Sequence, residues 1–463
     1  MNKGLAVTTV PMSLTGAVAL WFLIGVSANA QQKDMLRRQA YWGASIAAPA
    51  KGPGAKVRRV DRDSAAEKAG LKPGDLVLRI NGKPLVNEIT YEAARRSVRG
   101  GDPVTLEVSR ESKTLLVKFS APPLPYEVIP GTEVRYESVV TERGHRLRTI
   151  VTKPANATGK LPAILFVHWL SCDSVESPLR LSDGWSKILR GLAEKSGFVL
   201  MRVERPGLGD SEGPDCSQSD LDADMAGFRA GLRALKQYDF VDTDNVFIVG
   251  ASIGGALAPI LAQGENVRGM IVSGGFAKTW LEHMLEHERR RLALSGRTPA
   301  EINEWMRGYS QFYSAYLNQR LTPGEVIRRM PQLASIWYDE PGHQYGRPAA
   351  FFHQVQQLNV EGAWEKTSAP VLIVYGEYDW IMSRDDQELI AQIVNSRHPG
   401  NAKLVIAPKL DHDLAAYDSM AKAFKDEGRR FDESVITLMI DWLKGNLNKK
   451  TTAGLGVIKS ENQ

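Results

Sequence analysis

The chain has little cysteine, no long apolar run and little excess charge of either sign. Among 463 residues there are two cysteines, Cys172 and Cys216, so a disulfide framework is limited to one bridge. The longest N-terminal apolar stretch, 14–26, has thirteen residues, short of the ~20 that a spanning helix needs. Excess charge of one sign is also scarce: 58 basic against 53 acidic residues leave +5, with no long basic run, so no nucleic-acid partner is expected. No internal repeat is present. What remains, 43% hydrophobic and 24% charged residues, is the composition of a globular chain, and its length predicts two or three domains.

The first residues carry a positive start at Lys3, the apolar stretch 14–26 and the small-x-small sequence Ala28-Asn29-Ala30, which predicts an export signal over 1–30 cleaved after Ala30. No cysteine follows the apolar stretch to receive a lipid. Export to a periplasmic or secreted location places Cys172 and Cys216 in an oxidising compartment, where an even pair is expected to bridge. Closing that loop would contribute about 4 kcal/mol by the chain-entropy argument.

Residues 31–40 read as a polar lead-in. From 41 to 120 short strands surround a helix, and the segment 64–82 (SAAEKAGLKPGDLVLRING) gives a short helix ending near Gly70, a Pro-Gly-Asp turn, an alternating strand and an Asn-Gly turn. A later helix near 91–98 and a strand pair at 103–110 and 113–119 complete the unit, which resembles a PDZ domain over 38–121. The resemblance implies a peptide C-terminus added as an extra strand, its carboxylate held by amides of the loop Trp42-Gly43-Ala44; the bland alternative is a structural role against the next domain. Ala121-Pro122-Pro123-Leu124-Pro125 reads as a stiff linker.

Beyond 126 the pattern changes. Short apolar runs at 162–167, 197–203, 246–249, 269–272, 371–375 and 403–407 are mostly separated by helix-length segments, the signature of an α/β fold with a largely parallel sheet covered on both faces. Two alternating segments, 133–140 and 146–152, predict an antiparallel edge hairpin. The rhythm breaks over 277–367, which reads as a helical cap inserted between two sheet strands, and 449–463 reads as a flexible tail.

The sequence Gly250-Ala251-Ser252-Ile253-Gly254-Gly255 follows one of these runs and opens a helix-compatible stretch. A serine flanked by glycines on so tight a strand-to-helix turn holds its hydroxyl outward, the geometry of a nucleophile. Such a hydroxyl needs a base, and the base needs a group that fixes its tautomer. Asp379 follows the run ending at Tyr375, and His412 follows the run ending at Ala407. Serine, aspartate and histidine at strand ends in that order resemble the α/β-hydrolase family over 126–448. The resemblance implies Ser252 as nucleophile, His412 as base and Asp379 as its orienter, with Glu377 as reserve acid, and the Ile253 amide in the oxyanion hole. Where the family usually has His-Gly, this chain has His168-Trp169-Leu170, so the second oxyanion donor is expected at Trp169 or Leu170. Glu204 to Gly213 also resembles the family's glycine-rich loop; its glycines are wrongly spaced for dinucleotide binding, and no cofactor is expected.

His283-Met284-Leu285-Glu286-His287 fits an inverted zinc-protease spacing but has no evident third ligand. Glu282 and Arg289 to Arg291 instead predict a solvated helix face, and no metal is assigned. The aromatic residues of the insert, Trp280, Trp305, Tyr309, Phe312, Tyr313, Tyr316, Trp337, Tyr338, Phe351 and Phe352, are expected mainly to pack it. The resulting expectation is an exported serine hydrolase acting on carboxylic esters, with a small-molecule ester or peptide as substrate. Two alternatives stand beside it: a peptidase resembling the prolyl-oligopeptidase type, and a non-catalytic protein binding through its PDZ-like unit.

Overall fold

The computed structural model describes residues 36–49, 52–176 and 184–448; the expected export signal and C-terminal tail lie outside the described residues. Two sheets organise the chain. The first contains β1 (Ala44–Ala47), β2 (Ala55–Val60), β3 (Leu76–Ile80), β4 (Lys83–Pro84), β5 (Pro103–Arg110) and β6 (Lys113–Ser120), in the order β1-β2-β3-β5-β6 with β4 on β3. Alternation buries Val104, Leu106 and Val108 of β5 on one face. The Asn81-Gly82 turn joins β3 to β4 with both residues at positive φ, as a tight hairpin requires.

The helix Glu88–Arg96 packs on this sheet and begins earlier than the 91–98 expectation. Asn87 caps it, and Thr90 returns the bond to the Asn87 amide, so the boundary is set by a side-chain capping box rather than by the apolar spacing.

The second sheet runs β16-β15-β12-β11-β9-β10-β8-β7, built from β7 (Thr132–Val140), β8 (Arg146–Pro154), β9 (Leu161–Val167), β10 (Val199–Val203), β11 (Val241–Ala251), β12 (Gly269–Ser273), β15 (Val371–Gly376) and β16 (Ala402–Ala407). The five pairings from β10 to β16 are parallel; β7 with β8 and β8 with β10 are antiparallel. Successive residues of β9 show why both faces are covered: Ala163, Leu165 and Val167 enter one apolar core, Ile164 and Phe166 the other. Between β12 and β15 the chain forms the helices Trp280–Leu294, Pro299–Tyr313, Pro323–Arg329, Ala349–Gln356 and Val360–Glu365, with a two-residue hairpin of β13 (His343–Gln344) and β14 (Arg347–Pro348). Most of the insert's aromatics, including Tyr309, Phe312, Tyr313, Tyr316, Phe351 and Phe352, are buried in its packing. Among the described residues, no helix is long and apolar enough to cross a membrane.

The lead-in and linker differ from expectation. Leu36 and Arg38 are buried rather than solvated. Arg38 bonds both Glu176 (2.5 Å) and Asp210 (2.8 Å), while its remaining N–H groups donate to the Leu124 and Pro125 carbonyls. Arg99 donates to the Gly209 and Ser211 carbonyls, and Arg96 to the Cys172 carbonyl. Charge pairs taken out of water persist only when every donor is matched, and Arg38 meets that condition where the two sheets' units join. The 121–125 segment, expected as a stiff linker, is therefore also a bonded seam.

Candidate active site

Ser252 lies between the end of β11 and the helix Ile253–Ala262, with φ 55° and ψ −125°. A non-glycine residue in that region carries backbone strain, and neighbouring contacts hold it there. The Ser252 amide donates to the Ser273 carbonyl at 2.8 Å. A Cβ on Gly250 would come within 2.5 Å of the Gly254 carbonyl oxygen, and one on Gly254 within 2.0 Å of the Val167 carbonyl oxygen. Both glycines are thus required by close approach, the second because the helix N-terminus presses against the loop that follows β9.

That contact sets the Ile253 amide, which as the first helical donor has no intrahelical acceptor, beside the His168–Leu170 loop. Ile253, Trp169 and Leu170 all line one cavity of about 480 Å³ with Ser252 and His412. The structure therefore groups the expected oxyanion donors around the serine.

His412 follows β16, and its Nδ1 lies 2.8 Å from Asp379 Oδ2. Asp379, buried behind the imidazole, is aimed by its other oxygen, which accepts from the Ile381 and Met382 amides at 2.9 Å each. Burial pulls the His412 pKa down, but the Asp379 charge and hydrogen bond outweigh it, with Asp413 and Asp411 adding to the rise, to about 9. Gly274 makes room for the ring: it sits at φ +62°, and a Cβ there would lie 2.6 Å from His412 Cε1. Ser252 Oγ makes no hydrogen bond to another described group; nucleophile–base contacts commonly tighten only when substrate is bound. Glu377, the reserve acid, instead accepts from the Lys409 amide at 2.8 Å.

A nucleophile-competent turn at the end of a parallel strand, with a carboxylate two strands away holding a histidine that follows the third, agrees with the family pattern that matches residues 164–427, more than half of the chain. The chain belongs to the alpha/beta hydrolase family. A PDZ domain also matches, over residues 31–109. Relatives of this hydrolase include esterase EstD of Thermotoga maritima, 20% identical over 256 residues and covering 55% of each chain. A DegP-like periplasmic serine endoprotease of Pseudomonas savastanoi is 26% identical over 176 residues, 33% of this chain and 36% of the relative. The chain thus spans about half or less of the length of these curated relatives. Among solved structures it is similar to Est1E from Butyrivibrio proteoclasticus, with 17% identity, 67% of this chain and 98% of that one covered, and a TM-score of 0.44. The Pyrococcus furiosus esterase PF2001 gives 13% identity, 70% and 96% coverage, and 0.43.

Sequence reasoning expected the Cys172–Cys216 bridge but missed the arginines that brace the 168–171 loop. Buried Arg205 donates to the carbonyls of Trp169 and Ser171 and pairs with Asp224 at 2.7 Å, which also holds Arg347 at 2.8 Å. Cys172 and Cys216 form a disulfide, S–S 2.08 Å, that ties the same loop to the segment after β10. Nothing in the spacing of these arginines marks them, because their partners lie far away in sequence.

The cap supplies the opposite wall, and here the solvated-face expectation fails. His283 and His287 are 3% and 5% exposed and line the cavity. The buried positions of their helix, Trp280, His283, Met284, His287, Glu288 and Leu292, follow the i, i+3, i+4, i+7 spacing of an inward stripe; that periodicity was the signal available. Burial first, then nearby charges including His287 and Arg290, push His283 well below the ordinary histidine range; burial and Arg290 bring His287 to about 4. Among the described residues, no group of three or more His, Cys, Asp or Glu could hold a metal ion.

In the PDZ unit, the expected ligand loop keeps Gly43 at φ +62°, where a Cβ would meet Ser64 at 2.4 Å. The Trp42 ring is buried against Phe119 rather than standing in the groove. The groove beside β1 is crossed by Tyr91, whose hydroxyl donates to the Ile46 carbonyl at 3.0 Å. An added peptide strand would have to compete with that bond.

Proposed function

We propose that this chain is an exported serine hydrolase that cleaves carboxylic esters through an acyl-enzyme. The observation that carries the reading is the pairing of His412 with Asp379 on the wall of the cavity into which the strained Ser252 turn projects. Ser252 Oγ attacks the ester carbonyl as His412 Nε2 takes its proton; Asp379 keeps the Nδ1 proton in place and stabilises the imidazolium. The tetrahedral oxygen accepts from the Ile253 amide and from Trp169 or Leu170. Collapse returns the proton from His412 to the departing alcohol, and water repeats the sequence to release the acid. Support for ester chemistry comes from the resemblance to EstD and from the apolar side chains Leu170, Ile253, Ile381 and Met382 in the cavity wall. Support for export comes from the N-terminal pattern over 1–30 and the bonded cysteine pair.

A fluorophosphonate probe tests the nucleophile: wild type is expected to label and Ser252→Ala not to. Equal labelling of the two would sink the enzymatic reading. A parallel panel of aryl esters and aminoacyl or dipeptidyl amides tests the chemistry, with esters expected to lead; amide turnover rivalling ester turnover would put a peptidase in first place. For the PDZ unit, the reading is capture of a peptide C-terminus at Trp42-Gly43-Ala44, and it requires that C-terminal amidation abolish binding.

A further inference from the structure

His283 is the group in the cavity that the mechanism leaves unused. Its ring is held between Phe276 and Trp280, with centroids 6.0 and 4.7 Å away, and it lines the same cavity as Ser252 and His412. Within that apolar stack a phenyl ring would pack equally well and need no polar partner. The imidazole does need one. Its Nδ1 is fully buried with no hydrogen bond, whereas Nε2 is not among the sealed, unpartnered atoms, and no described group bonds either nitrogen. Nε2 is therefore the nitrogen open to the cavity.

Burial and the surrounding positive groups keep this imidazole neutral, so it carries one N–H and one lone pair. A proton on Nδ1 would strand a donor in the protein interior; a proton on Nε2 strands only a lone pair, the less costly arrangement. That tautomer aims an N–H into the cavity. A donor of this kind does not recognise a cation. The cavity offers no surplus positive charge for an anion either, because Arg291, which also lines it, is matched by Glu288 at 2.7 Å.

We infer that His283 is a specificity-determining residue whose Nε2–H donates to a neutral oxygen of the substrate outside the scissile ester, so that keto- or hydroxyl-bearing esters are preferred to plain alkyl ones. This rests on the ester-hydrolase reading above. The oxygen belongs to the acyl or to the alcohol half of the substrate, and two matched pairs distinguish them: an aryl pentanoate against the aryl levulinate, and pentyl acetate against the acetate of the corresponding keto alcohol.

The expected result is a kcat/KM ratio of about tenfold or more in favour of the keto partner in one pair, the size of one well-made hydrogen bond. His283→Phe, which keeps the ring stack, is expected to bring that ratio to about one, and His283→Gln, which keeps a donor, to restore part of it. If His283→Phe does not fold, His283→Leu takes its place. A ratio near one for both pairs in wild type overturns the inference, as does a preference that survives in the Phe or Leu variant. Absence of any Ser252-dependent ester turnover would instead overturn the hydrolase reading itself, so the two failures are distinct.

Discussion

The two walls of the Ser252 cavity carry histidines with opposite behaviour. On the sheet side His412 is raised to about 9; on the cap side His287 is lowered to about 4, and His283 is lowered as well. All three are sheltered from water, so burial alone cannot separate them. The difference is a carboxylate 2.8 Å from one ring, fixed by two backbone amides, and its absence beside the others, which face arginines instead. One wall favours the charged imidazole and the other the neutral one.

The largest expected effect erases the reactive wall. Ser252→Ala should lower kcat by on the order of 10⁶ in steady-state ester hydrolysis while leaving the thermal melt near wild type. Asp379→Asn comes next, at about 10⁴ in kcat, and it makes the two walls alike. The base must be unprotonated to act, so wild-type kcat/KM should rise with pH towards a limb near 9. Removing the anion that retains the proton should move that limb to lower pH even as the rate falls. A limb unchanged in the variant would show that Asp379 does not set the His412 pKa.

Smaller effects test what holds the walls in place. Replacing Cys172 and Cys216 together by alanine should cost about 2–4 kcal/mol in denaturant unfolding and lower kcat more than a distant surface change would, because the bridge restrains the Trp169–Leu170 loop. The smallest effect sharpens the cap side. The unfolded chain protonates His287 near the ordinary value, but the folded chain does so only near pH 4. Its contribution to stability is therefore fully present above the unfolded pKa and is lost as pH falls through the folded one. His287→Phe should melt with a smaller loss of Tm between pH 7 and pH 4 than wild type.

The sheet was legible in the sequence because buried parallel strands announce themselves as unbroken apolar runs: 371–375 falls within β15, and 269–272 within β12. The reading was weaker where polar residues enter a strand. β11 begins at Val241, before the apolar run at 246, and its register on β9 shifts between Val241 and Val246. Ser252, Asp379 and His412 were legible as strand-end residues in a fixed order. The cap histidines were misread because Glu282 and the arginines at 289–291 drew attention to charge, while the helical stripe through Trp280, Met284 and Leu292 already placed His283 and His287 inward. Arg38 and Arg205 left no trace at all, since a buried cation is defined by partners brought together only in three dimensions.

The Arg38 contacts bear on modularity. Deleting the chain up to the 121–125 segment would leave Glu176 without Arg38 and Asp210 with Arg148 alone, and removing one member of such a buried set costs about 3–5 kcal/mol. The PDZ unit is in that sense a piece of the hydrolase's interior carried on a separate sheet. Neither exchanging it for another domain nor trimming the hydrolase to its family core leaves the charge balance beneath the seam intact.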